Sequence, residues 1–129
     1  MWWDLEKAID AAATAKIREY ERYKKRVSDE SGRRIRRSTA TLTPLTPSRP
    51  TLWDLDRSYD PYHVRPRSSS ISHSITKRLR SGAYEPQRPA GFWVPKPGGG
   101  RRLVSSFSIA DEVISSRLYR SLLRRTRDL

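Results

Sequence analysis

Proline placement divides this chain before any other feature does. Residues 2–27 contain none, whereas Pro44, Pro47, Pro50, Pro61 and Pro66 crowd the stretch 38–70 among many Ser and Thr. Proline lacks an N–H and fixes φ, so it interrupts both helix and sheet ladders. The expected division is therefore an N-terminal helix within residues 1–32, a mostly irregular Pro/Ser/Arg-rich linker over 33–70, and a helix–hairpin–helix unit over 71–129 that reads as an incomplete domain. In the first part Trp2, Leu5, Ile9, Ala13, Ile17, Tyr20 and Val27 recur at three- and four-residue steps. That is the spacing of one helical face. Glu21 and Lys25 stand in the favourable i, i+4 order, and Ser31-Gly32 reads as the stop.

In the third part Ile71, Ile75 and Leu79 predict a short helix over 71–81 that ends at Gly82. Two β-prone runs follow, Phe92-Trp93-Val94 and Leu103 to Phe107, on either side of Pro95-Lys96-Pro97-Gly98-Gly99-Gly100-Arg101-Arg102. A β-hairpin with glycines at its tip is expected. Residues 108–125 complete the unit as a helix, with Ser108 three before Asp111 as in a capping box. Its core-facing stripe is predicted as Ile114, Leu118 and Leu122, with Tyr119 and Leu123 beside it. The last turn holds Arg124, Arg125 and Arg127, and the helix reads as cut rather than finished. The fold class expected is α+β.

Charge narrows the partners. The chain has 27 Lys plus Arg against 14 Asp plus Glu, a formal net charge of +13. Leu, Ile, Val and Phe together make only 25 of its 129 residues, too few for a large independent core. Residues 65–129 hold 14 basic and 4 acidic side chains, so the polycation is the second half. Nucleic-acid phosphate is the anion such arginine-rich sequence is best suited to meet. A membrane surface fits less well, because no inserting face of Leu and Phe accompanies the basic residues. No apolar run approaches the ~20 residues of a membrane span. With no basic-then-apolar leader either, a soluble, cytoplasmic protein is expected.

Candidate chemistry is sparse. Cysteine is absent, which removes thiolate nucleophiles, disulfides and cysteine-bound metals. His63 and His73 read as solvated loop residues. Asp54, Asp56 and Asp60 lie in TLWDLDRSYDPY, but the glycine and terminal glutamate of an EF-hand are missing, so capping and turn roles are expected of them. Leu52, Trp53, Leu55, Tyr59 and Tyr62 of that segment are candidate anchors for an extended arm. Arg33, Arg34, Arg36 and Arg37 (in RRIRR), with Arg124 and Arg125, are candidates for nucleic-acid backbone contact. The strongest signal is VPKPGGGRRLV, Val94 to Val104. A polyphosphate needs concentrated positive charge and backbone that can approach closely, and a glycine tip flanked by Lys96, Arg101 and Arg102 offers both.

The order of these pieces is specific: a helix ending in Gly82, Tyr84-x-Pro86, a strand into Pro95-Lys96, glycines, Arg102, a second strand, and Asp111 opening a helix. It resembles the fingers at the start of the reverse transcriptase domain in retron, group II intron and bacterial defence-associated enzymes, over roughly residues 71–123. The resemblance implies that Lys96 and Arg102, and more weakly Arg101, lie near the incoming deoxynucleoside triphosphate and the template. It implies a structural role for Asp111, as a cap and ion-pair partner. It also implies Mg2+ for a complete polymerase, with an RNA template and a DNA product as partners. The palm aspartates that would hold the metal include an adjacent Asp pair, and no Asp-Asp occurs in these 129 residues. The chain is expected to bind rather than catalyse, with palm and thumb supplied by a longer product or a partner polypeptide. Two alternatives remain: a stand-alone basic RNA-binding protein, and an interaction module docking through Trp2, Trp3 and Trp53.

Overall fold

A computed structural model describes residues 4–37 and 45–127. Trp2, Trp3, Pro44 and the last two residues, and the expectations that involve them, lie outside that range. Helix α1 spans Leu5–Arg37, α2 Thr51–Leu55, α3 Pro61–Val64, α4 Ser68–Ser81 and α5 Ile109–Arg127. Single 3-10 turns occupy Arg57–Tyr59 and Arg65–Arg67. Strands β1 (Ala90–Pro95) and β2 (Arg101–Ser106) form one antiparallel pair, so the fold is α+β. Among the described residues no helix is long and apolar enough to cross a membrane.

Helix α1 does not stop at Ser31-Gly32. A glycine inside a helix costs about 1 kcal/mol, which one long uninterrupted helix absorbs when no proline follows. The site is also held: Ser31 Oγ accepts the Leu45 N–H at 2.8 Å, and Arg36 Nε donates to the Gly32 carbonyl at 3.2 Å. Arg33, Arg34, Arg36 and Arg37 are therefore helical, exposed side chains and not the start of a linker.

The expected linker is also more ordered than its prolines suggest. Pro61 sits at the first position of α3 and Pro66 early in a 3-10 turn, where a missing N–H costs nothing. Asp60 caps α3 by accepting the Tyr62 N–H at 2.9 Å, and Asp56 caps the preceding turn by accepting from Ser58 N at 3.0 Å and Ser58 Oγ at 2.7 Å. These are the roles expected of those two aspartates. The hydrogen bonds to Ser58 are the chief reason the Asp56 carboxyl lies below its ordinary pKa. His63 and His73 fall in α3 and α4, not in loops. Helix α4 begins three residues earlier than expected and ends as expected, with Gly82 left-handed at φ 72°.

The core is small and aliphatic. Leu5, Ile9 and Ala13, at four-residue steps on α1, meet Val64 of α3, Ile75 of α4, and Ile109 and Ile114 of α5. The N-terminal helix thus packs directly on the C-terminal unit. Only Ile114 of the stripe predicted for α5 is fully buried; Leu118, Tyr119 and Leu122 are 54%, 63% and 60% exposed, and Leu123 is also exposed. The reason is geometric. Lys16 of α1 pairs with Glu112 near the start of α5 at 3.4 Å, while Ala8 and Ala12 lie across from Ser116, Arg117 and Arg120. The two helices run antiparallel, and the described part of α1 covers Ile114 but leaves Leu118, Tyr119 and Leu122 uncovered.

The hairpin stands on one buried hydroxyl. Tyr59 Oη donates to the Ser106 carbonyl at 2.9 Å and accepts the Ala90 N–H at 3.2 Å, bridging the end of β2 and the start of β1. Replacing Tyr59 by Phe keeps the ring but strips both partners. The expected cost is about 1–3 kcal/mol, the penalty of leaving shielded polar groups unsatisfied. Urea denaturation should show it, and hydrogen exchange should accelerate at the Ala90 amide while the α1 amides lose no more than the global stability change.

Candidate phosphate-binding hairpin

The tip of the hairpin is a type II turn by its residues and its geometry. The Gly99 N–H donates to the Lys96 carbonyl at 3.2 Å, Pro97 occupies the second position, and Gly98 takes the third at φ 85°. Gly99 and Gly100 continue at φ 105° and 80°. A Cβ built on any of the three would meet nothing within 4 Å, so glycine is required there by backbone conformation and not by crowding. The Lys96 N–H closes the loop on the Gly100 carbonyl at 3.0 Å.

Register then sorts the cations. Val94 pairs with Arg102 and Pro95 with Arg101. Side chains alternate along a strand and directly opposed residues share a face. Phe92, Val94, Arg102 and Val104 consequently occupy one face, and Trp93, Pro95, Arg101 and Leu103 the other; alternation carried one residue past β1, where the Lys96 N–H bonds the Gly100 carbonyl, puts Lys96 with Arg102. Lys96 and Arg102 thus flank the glycine tip diagonally, a placement that suits two cations reaching one polyphosphate. Arg101 is on the opposite face, so the structure does not group it with the other two. All three are exposed, at the end of the hairpin away from Tyr59.

The approach to the hairpin and the exit from it are tied to one carboxylate. Ser108 Oγ accepts the Asp111 N–H at 3.3 Å, the N-cap half of the box expected at the start of α5, and donates to Asp111 Oδ2 at 2.9 Å, so the return bond comes from the hydroxyl and not from the Ser108 N–H. Asp111 also accepts the Gln87 N–H at 2.9 Å and the Tyr84 hydroxyl. Its part is structural, as expected, but its partners are a hydroxyl pair and a backbone amide in place of an ion pair. The value of Tyr84 to the fold was not visible in its sequence context, because its partner Asp111 lies 27 residues away.

The remaining basic candidates do not converge on the hairpin. Arg33, Arg34, Arg36 and Arg37 lie in the last turns of α1, and Arg124 and Arg125 in the far half of α5. Among the described residues no group of three or more His, Asp or Glu side chains comes together that could hold a metal ion. The donors that Mg2+ would require are not assembled by these residues, and no chemical step of this chain is assigned to it.

Burial, and then the bond to Asp111, raise the Tyr84 hydroxyl well above the ordinary tyrosine pKa. Burial and the bond to Glu21 push Tyr62 up to about 12. The folded chain thus holds protons that an unfolded tyrosine, with a pKa of about 10, has already released. The stabilisation is complete below about pH 10 and declines as pH rises beyond it. Tyr84→Phe should lower stability at neutral pH by about 1–3 kcal/mol through the bond lost to the Asp111 carboxylate. It should also make the alkaline decline shallower, with the Tyr62 share remaining. Denaturant midpoints from pH 7 to 11 check both.

The chain matches no family model, no curated protein and no solved structure.

Proposed function

We propose that this chain is the fingers portion of an RNA-directed DNA polymerase, and that its hairpin contacts the incoming deoxynucleoside triphosphate and the template. The observation that supports this reading best is the shared face of Lys96 and Arg102 at a glycine-built tip, with Arg101 turned away. Lysine offers a point charge and arginine a two-pronged donor. Together they would neutralise the charge of a triphosphate as its nucleotidyl group is transferred and pyrophosphate leaves. The rest of the assembly suits the task of aiming these groups. Tyr59 and Asp111 hold both ends of the hairpin, so its tip is carried on a supported stem.

The reading places the metal-binding palm on residues other than these 129. Two apolar surfaces are available to receive such a body: Leu118, Tyr119 and Leu122 on α5, and Trp93 with Leu103 on the Arg101 face of the hairpin. Exposed apolar groups in such number are characteristic of interaction surfaces. A stand-alone RNA-binding role is favoured by a different observation, the exposure of Arg34, Arg37, Arg124 and Arg125 at the ends of two helices.

Titration of a fluorescent deoxynucleoside triphosphate into the chain tests the hairpin directly. Lys96→Ala combined with Arg102→Ala should weaken binding at least tenfold, the loss of about 1.5 kcal/mol or more expected of a charge-assisted hydrogen bond. Arg101→Ala should leave it within about twofold, given the opposite face. Equal losses from Arg101→Ala and from the double variant would refute the assignment. In a complete polymerase the double variant should abolish nucleotide incorporation while RNA binding persists.

A further inference from the structure

A second cationic surface lies away from the hairpin residues, where the arm leading into α2 crosses α1. Tyr20 and Tyr23 of α1 and Trp53 of α2 line a cleft of about 500 Å³, together with Lys16, Arg26 and Arg49. Glu19 is the one acidic residue in that lining. None of the three rings belongs to the aliphatic core, and all are only half-buried. Tyr20 and Trp53 meet edge-on at 5.0 Å between centroids, and Tyr20 meets Tyr62 at 6.2 Å and 84°. Edge-on packing holds rings in fixed orientations without stacking them on each other. Tyr23 has its ring contact among the described residues with Tyr20 alone, at 6.0 Å.

The cations are placed by the same elements. Arg49 lies over the Trp53 ring at 5.6 Å and is steadied by Asp60 at 2.9 Å, so its position depends on the α3 cap. Lys24 lies over Tyr20 at 5.4 Å. Continuing the three- and four-residue steps from Lys16 through Tyr20, Tyr23 and Glu30 reaches Arg34 and Arg37 on the same side of α1. At about 1.5 Å per residue, Tyr20 to Arg37 makes a track roughly 25 Å long.

We propose that this cleft and track bind single-stranded nucleic acid, with bases stacking on Tyr23 and Trp53 and the phosphates following Arg26, Arg34 and Arg37. Aromatic faces interleaved with Lys and Arg along one line are the combination that grips a single strand irrespective of sequence, since every base offers a π-face and every nucleotide a charge. A peptide partner would leave this excess of positive charge unmatched unless it were acidic. A duplex keeps its bases paired and offers no face to the tyrosine. The site is independent of whatever the hairpin holds.

The test is fluorescence anisotropy of a short labelled oligothymidylate, and of its duplex with oligodeoxyadenylate, titrated with the 129-residue chain. The single strand should bind more tightly, and its affinity should fall steeply with salt. Tyr23→Ala should weaken it on the order of tenfold, whereas Tyr23→Phe, which keeps the stacking face, should not. Arg26→Ala, at an exposed position on α1, should weaken it and flatten the salt dependence. Circular dichroism of each variant should match the parent. Single-strand affinity unchanged by both Tyr23→Ala and Arg26→Ala would overturn the proposal, as would a Tyr23→Ala loss equally large for the duplex. Lys96→Ala with Arg102→Ala should leave the Tyr23 effect intact, which separates a failure here from a failure at the hairpin.

Discussion

The Asp111 carboxylate is the point on which the C-terminal half turns. One group receives the hydroxyl of the Ser108 cap, the Gln87 amide and the Tyr84 hydroxyl. It therefore joins the start of α5 to the extended segment that feeds β1. A buried anion satisfied by three donors is strongly favoured, whereas the same anion without them is costly. That asymmetry makes the arrangement selective: the segment after Gly82 can follow only the path on which its tyrosine and amide reach the carboxylate. Tyr59 repeats the device at the foot of the hairpin, with one hydroxyl serving both strands.

These polar ties matter because the apolar core is slight. Among the described residues seven aliphatic side chains from α1, α3, α4 and α5 make up the buried cluster. The two-stranded ribbon adds little, since an isolated hairpin is marginal in water. The long first helix compensates by lying across the other helices, so residues far apart in sequence share one core. The arm at 45–62 is fastened over the same helix by Ser31, by the Tyr20–Trp53–Tyr62 ring cluster and by the bond between Tyr62 and Glu21. Two cationic surfaces result, one on a hairpin face and one on a helix face, each built on a different part of this scaffold.

Local rules read well wherever the backbone itself was the constraint. The Gly82 stop, the Ser108–Asp111 cap, the hairpin between Phe92 and Phe107 and the glycine tip all follow from chain conformation within a few residues. The linker misled because proline was read as a breaker, whereas Pro61 and Pro66 sit where helical turns begin. Ser31-Gly32 misled for a related reason. A stop signal is a preference of about 1 kcal/mol, and a single contact from Leu45 is enough to set it aside.

The residue pattern alone established the helix faces, the turn chemistry and the concentration of positive charge, because each depends on neighbours three or four positions away or on simple counting. It could not say which apolar faces would find partners. Ile114 and Leu122 belong to one periodic stripe, yet one is buried in the cluster that α1, α3 and α4 complete and the other is exposed. Nor could it put Arg101 and Arg102 on opposite faces of the hairpin, though they differ by only one position in sequence. Burial and facing depend on what the folded chain places opposite each side chain, and that is settled only when distant segments meet.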